Sequence, residues 1–201
     1  MFIEPKNIMG VVAFPNPNGV RDCHFVDVFG NELFKIPDGD DIKITYLEGQ
    51  VKMAVCRYID DCHFAVGDEV YHKDQFAETM ECIGAVYEPL EPKDGDVVAS
   101  YEIYQIKDML HTDYTFRCYD AAAKSIKKSD YKLVYRNVYH PKTSLEKLFI
   151  RHNGDYRPYS YRIRSMSVSD VIVISVNGEK KAYYVDSVGF EEIEDFDGRT
   201  K

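Results

Sequence analysis

Residues 165–193 read SMSVSDVIVISVNGEKKAYYVDSVGFEEI, and the way this stretch turns decides the fold around it. Asn177-Gly178 is a two-residue hairpin signal, because a type I′ turn needs positive φ at both central positions. β-Branched and aromatic residues flank it on both sides, as strands prefer. A two-residue loop fixes the register. Val176 then faces Glu179, Ile174 faces Lys181, Ile172 faces Tyr183 and Asp170 faces Val185. On the other face Ser175 meets Lys180, Val173 meets Ala182, Val171 meets Tyr184 and Ser169 meets Asp186. The pairs are polar at the turn and apolar on both faces away from it. The open end is therefore expected to be buried on both sides, as in a central hairpin or a small barrel. Ser169 with Asp186 is expected as a buried polar pair that pins the register. Asp170 and Asp186 fall on opposite faces, which counts against a carboxylate dyad sharing a proton.

The same wording resembles a known family. Ser167-Val168-Ser169-Asp170 leads into the first strand, Asn177-Gly178 makes the turn, and Tyr183-Tyr184-Val185-Asp186-Ser187-Val188-Gly189-Phe190 ends the second. Upstream stand Tyr104-Gln105-Ile106-Lys107, Tyr119-Asp120 and Asp130-Tyr131-Lys132-Leu133-Val134-Tyr135. Together these are similar to the YodL-like domain family over about residues 101–196. The family usually has Phe where this chain has Val188, a conservative departure. The resemblance implies the company of conjugative elements and phages of Firmicutes, often within large polyvalent proteins. It implies no established catalytic activity, so no catalytic residue carries over.

Charge divides the chain. Residues 1–96 hold 19 acidic and 8 basic residues, net −11, and residues 97–201 hold 15 and 17, net +2. Two modules of opposite sign follow. The linker EPLEPKDGD, Glu88 to Asp96, has two prolines and high charge. The expected organisation is an acidic module over 1–90, a linker over 91–98, a second module over 99–196 and a frayed tail over 197–201. Each module is expected to be α+β: a mainly antiparallel sheet or partial barrel with one or two short helices.

In the first module, residues 9–14 read as extended and 15–19 as a Pro-Asn turn. Strands follow at 23–29, 32–36, 42–47, 51–59 and 62–66, and a helix over 75–82 with Asp74 as N-cap and Gly84 at its end. In the second, strands are expected at 101–107 and 131–139. Asp120 is expected to cap a short helix running to Ile126. Thr143-Ser144-Leu145-Glu146 reads as a capping box for a helix with Leu145, Leu148 and Phe149 inward. Residues 108–118 have no clear period. The tetrapeptide Asp-Cys-His-Phe occurs at 22–25 and at 61–64, which reads better as two similar strand starts than as a duplicated unit.

Hydrophobic residues make up 45% of the chain, enough for a core and against disorder. No apolar run is long enough for a membrane span, and the start MFIEPKNIMG lacks the pattern of a signal peptide. A cytoplasmic protein is expected, with its five cysteines reduced. Cys56, Cys62, His63, His72 and Cys82 crowd together, but their spacing fits no zinc finger or ribbon. Neither a P-loop, a G-x-G-x-x-G nor an H-E-x-x-H occurs. No cofactor, structural metal or catalytic residue is therefore expected.

The remaining constellation is basic and aromatic: Tyr156, Arg157, Tyr159, Tyr161, Arg162 and Arg164, with Lys124, Lys127 and Lys128 nearby in sequence. Arg and Tyr interleaved suit a protein interface, where both are enriched at hot spots. They also suit stacking on bases with phosphate contacts. The expectation is a non-enzymatic binding protein whose partner is a host or element-encoded protein. Its sharper form is an inhibitor of a host defence system, with the acidic half imitating nucleic-acid charge. The alternative is a nucleic-acid-binding accessory domain working through the second module.

Overall fold

A computed structural model describes residues 21–198 and, for the backbone alone, 6–8 and 11–13. The chain forms two compact units, Met1–Val98 and Ala99–Lys201. Both are antiparallel sheets with few short helices, an α+β architecture.

In the first unit β1 (Lys6–Ile8) pairs with β2 (Val11–Ala13). The other expected extended positions before residue 15, and the turn at 15–19, lie outside the described residues. β3 (Asp22–Val26) and β4 (Glu32–Pro37) form a hairpin. A five-stranded sheet follows from β5 (Asp41–Thr45), β6 (Val51–Tyr58), β7 (His63–Val66), β8 (Glu69–His72) and β9 (Val86–Pro89), in the order β8-β7-β6-β5-β9. Helix α1 (Lys73–Ile83) joins β8 to β9 and packs on β3 and β8, while β4 lies against β6 and β9. Aromatic rings fill the space between. The centroid of Phe25 is 5.0 Å from Phe34, 4.7 Å from Phe64 and 5.4 Å from Phe76. Buried Tyr87 donates its hydroxyl to the Val26 carbonyl at 2.6 Å, the partner a buried phenol needs.

Two local expectations are corrected here. His72, not Asp74, caps α1: its Nδ1 accepts the Asp74 N–H at 3.3 Å, and Gln75 Oε1 accepts the His72 N–H at 3.2 Å. That reciprocal box moves the start back to Lys73 and leaves Asp74 in the first turn, where its charge suits the helix dipole. Gly84 ends the helix in the left-handed region, φ 66° and ψ 46°, as expected. Glu88 and Pro89 belong to β9 and not to a linker, paired with Lys43 and Ile42 of β5. Beyond them the Val97 N–H donates to the Leu33 carbonyl, so residues 91–97 continue along the first unit.

In the second unit β10 (Ala99–Ile106), β11 (Tyr131–Val138), β12 (Val171–Val176), β13 (Glu179–Val185) and β14 (Phe190–Ile193) form one open sheet, ordered β11-β10-β12-β13-β14. It is not a barrel, since β11 and β14 are its edges. The hairpin β12–β13 has the expected register from Val171–Tyr184 to Val176–Glu179. Asn177 and Gly178 have φ of 50° and 85°, as a type I′ turn requires. β12 is the central strand, and both its faces are buried at the open end. On one face Tyr104, Val171, Val173, Ala182 and Tyr184 pack with Tyr114, Ile126 and Phe196.

The other face meets α3 (Leu145–Asn153), where the His152 ring lies 4.7 Å from Tyr135 and 5.8 Å from Tyr101. Ser144 caps α3, accepting the Lys147 N–H at 3.3 Å. Leu148 is buried, but Leu145 and Phe149 are only half-buried, and His152 takes the inward position one turn after Leu148. The helix expected from Asp120 to Ile126 is shorter: α2 spans Tyr119–Ala122, and a separate 3-10 turn covers Lys128–Asp130.

Candidate functional site

The open end of the β12–β13 hairpin holds two long loops. Ser169 has φ 78°, which turns the chain sharply before β12. Its N–H donates to the Val185 carbonyl at 3.0 Å, its Oγ accepts the Phe116 N–H at 3.1 Å, and its carbonyl accepts the Tyr131 hydroxyl at 3.0 Å. The expected Ser169–Asp186 pair is therefore not formed, because the positive φ takes Ser169 out of the ladder. Asp186 Oδ1 accepts the Tyr119 N–H at 3.0 Å and so caps α2 from a distant strand. Tyr184 donates its hydroxyl to the Arg117 carbonyl at 2.8 Å. These contacts fix residues 116, 117 and 119 at the end of the 107–118 loop.

The second loop, 154–164, is held by Asp170. This carboxylate, not that of Asp186, is the buried one: Asp170 is 0% exposed. It accepts both terminal guanidinium nitrogens of Arg164, the Ser167 N–H at 2.9 Å and the Gln105 amide at 3.2 Å. Burial pushes its carboxyl up to about 6, against the downward pull of Arg164, Ser167 and Gln105. Gln105 also donates to the Arg164 carbonyl at 3.3 Å, which ties the loop's end to β10.

The nine basic and aromatic candidates separate by environment. Arg164 is spent on Asp170. Arg157 turns inward to the carbonyls of Ser160 and Ile163 at 3.4 and 3.3 Å. Tyr159 is buried, and the Arg162 guanidinium lies 5.8 Å from both the Tyr159 and Tyr161 ring centres. Lys128 pairs with Asp197 and sits over the Tyr104 and Phe196 rings. Tyr156, Tyr161, Arg162, Lys124 and Lys127 are exposed. Sequence reasoning missed the apolar part of the same end. Leu110 is 91% exposed, Val188 86% and Phe116 59%, with Met109 beside them. The available signal was the apolar pair Met109-Leu110 between Asp108 and His111, in a segment without helical or strand period.

In the first unit the repeated tetrapeptides stand at the starts of β3 and β7, and both line one cavity of about 230 Å³ with Asp22, His24, Cys62 and His63. Phe25 and Phe64 point into the core and Cys62 outward. No disulfide joins the five cysteines, and burial, with Asp38 and Asp22 nearby, pushes the Cys23 thiol up to about 12. Among the described residues no three His, Cys, Asp or Glu side chains gather as a metal cage, and no helix is long and apolar enough to cross a membrane.

Residues 100–196 match the family model of the YodL-like domain. The match covers the second unit's sheet, both loops and the clasp of Ser169, Asp170 and Asp186. No curated protein and no solved structure matches the chain.

Proposed function

We propose that the protein works by binding another protein through the loops at the open end of the second unit's hairpin. The observation that carries this reading is the presentation of Leu110, Phe116, Tyr156, Tyr161 and Val188 to solvent from loops braced by part-buried hydrogen bonds to Ser169, Asp186 and Asp170. Large apolar and aromatic side chains on a pre-ordered frame are what an interface core is made of. The cation inventory favours protein over nucleic acid. Arg157, Arg164 and Lys128 are engaged within the unit, which leaves few charges for phosphates. The first unit's net −11 over residues 1–96 supports a basic surface on the same partner or a second one. In the setting of a mobile element, such a partner is a protein of the element or its host. A defence enzyme with a nucleic-acid groove is one whose charge the acidic unit would match.

The test compares the full chain with a variant carrying Leu110→Ser, Tyr156→Ser and Tyr161→Ser. A protein captured from a host lysate by the first and lost by the second, with the variant's melting temperature unchanged, supports the reading. A mobility shift of nucleic acid by the full chain at physiological salt, weakened by Arg162→Ala and steeply dependent on salt, would favour the alternative.

A further inference from the structure

We propose that His63 and His72 form a chelating site for a divalent first-row transition ion of the zinc class, on the face of the first unit's sheet. The two residues are direct cross-strand partners in the antiparallel pair β7–β8, so their side chains leave the same face side by side. Their ring centroids are 5.4 Å apart with planes at 81°. An ion bound at about 2.0–2.1 Å by two Nε2 atoms at a tetrahedral angle sets the ring centres about 5 Å apart. The observed spacing is already close to that.

The two imidazoles are held differently. His63 Nδ1 donates to Asp60 Oδ1 at 2.8 Å, which leaves its Nε2 as a bare lone pair. Asp60 is itself held in place by the N–H groups of Cys62 and His63, at 2.8 and 2.9 Å. His72 Nδ1 accepts the Asp74 N–H at 3.3 Å in the helix cap, so the free ring carries its proton on Nε2. Binding an ion at Nε2 moves that proton to Nδ1 and exchanges the cap bond for the Asp74 carboxylate, whose Oδ2 is 3.4 Å away. Carboxylate behind imidazole is the usual outer support of a metal-bound histidine. Both side chains are partly exposed, 43% and 33%, so an ion can reach them and water can fill its other positions. No third protein ligand completes a cage among the described residues. The site is therefore exchangeable and distinct from a zinc finger or ribbon.

The experiment is calorimetric titration of the untagged full chain with Zn²⁺ and Ni²⁺, with Mg²⁺ as control. One ion per chain is expected for the first two and none for Mg²⁺, which prefers oxygen ligands. His63→Ala and His72→Asn should each weaken binding at least tenfold; Asn at 72 keeps a good helix cap. Asp60→Asn should weaken it about tenfold through the lost outer support. Cys62→Ser should leave it unchanged. Circular dichroism and melting curves of each variant exclude loss of fold as the cause. Absence of saturable binding, binding of Mg²⁺ with similar affinity, or a site that survives His63→Ala or disappears with Cys62→Ser would overturn the proposal.

Discussion

Acid should unfold the second unit through one buried imidazole. His152 is 1% exposed, and its Nε2 lies 2.9 Å from the Tyr101 hydroxyl. Its Nδ1 is buried with no hydrogen-bond partner. The neutral ring tolerates this as a bare lone pair while Nε2–H donates to Tyr101. Adding a proton would bury both a charge and an orphan N–H. Burial, with Arg151 nearby, accordingly lowers the His152 pKa to about 3. An unfolded His titrates near 6.5. The native state thus binds fewer protons, so stability is retained above about pH 6.5 and lost as pH falls toward about 3. Linkage puts the loss at about 2 kcal/mol between pH 8 and pH 5, a large fraction of a small unit's stability. The assay is urea unfolding of the full chain and of His152→Phe at pH 8, 7, 6 and 5, monitored by tyrosine fluorescence. The variant cannot titrate there, and its lost bond to Tyr101 costs about 1 kcal/mol at every pH. The gap between the two proteins should therefore narrow and then reverse as pH falls. A constant gap from pH 8 to 5 would refute the argument.

Asp170→Ala leaves Arg164 without its carboxylate partner and should destabilise by about 3 kcal/mol; limited proteolysis should then cut within 154–164, where the parent resists. Asp186→Ala removes the acceptor of the Tyr119 and Ser187 N–H groups and should cost about 1–2 kcal/mol, against no more than about 0.5 kcal/mol for exposed Glu179→Ala at the turn. Equal denaturation midpoints for those two would contradict the capping role. Gly178→Ala places a Cβ at φ 85° with nothing within 4 Å of it, so its cost of about 1 kcal/mol, read from the shift in melting temperature, is backbone strain alone.

The parts of this fold legible in the sequence are those decided by neighbours along the chain. Asn177-Gly178 permits one turn, the turn permits one register, and alternation from that register places Ile172 and Tyr184 in the core. What was not legible depends on residues distant in sequence or on a single dihedral angle. Nothing near Ser169 announces a positive φ, yet that angle removes it from the ladder and sends its hydroxyl to Phe116, 53 positions away. Asp186 reads as a strand-end carboxylate, and only the return of Tyr119 to its side makes it a helix cap. His72 is hard to read as a cap because Asp74 has the better side chain for it, while Gln75 decides the matter by accepting the His72 N–H. β9 was hidden by Pro89, which an edge strand tolerates because its N–H side is not needed by the ladder.

The clasp also bears on what the family likeness constrains. Ser169, Asp170 and Asp186 lie within the wording that resembles the YodL-like domain, and their polar atoms are used inside the unit. A residue bound in this way is hard to replace, because each substitution leaves a hydrogen-bond partner unsatisfied. The exposed side chains of the loops carry no such penalty: Leu110 and Tyr156 touch water, and changing them leaves the frame intact. Val188 belongs to this second class, at 86% exposure in the turn between β13 and β14. On the binding role proposed above, scaffold and recognition are carried by different residues. A match in the first set reports a shared frame, and the partner must be read from the second.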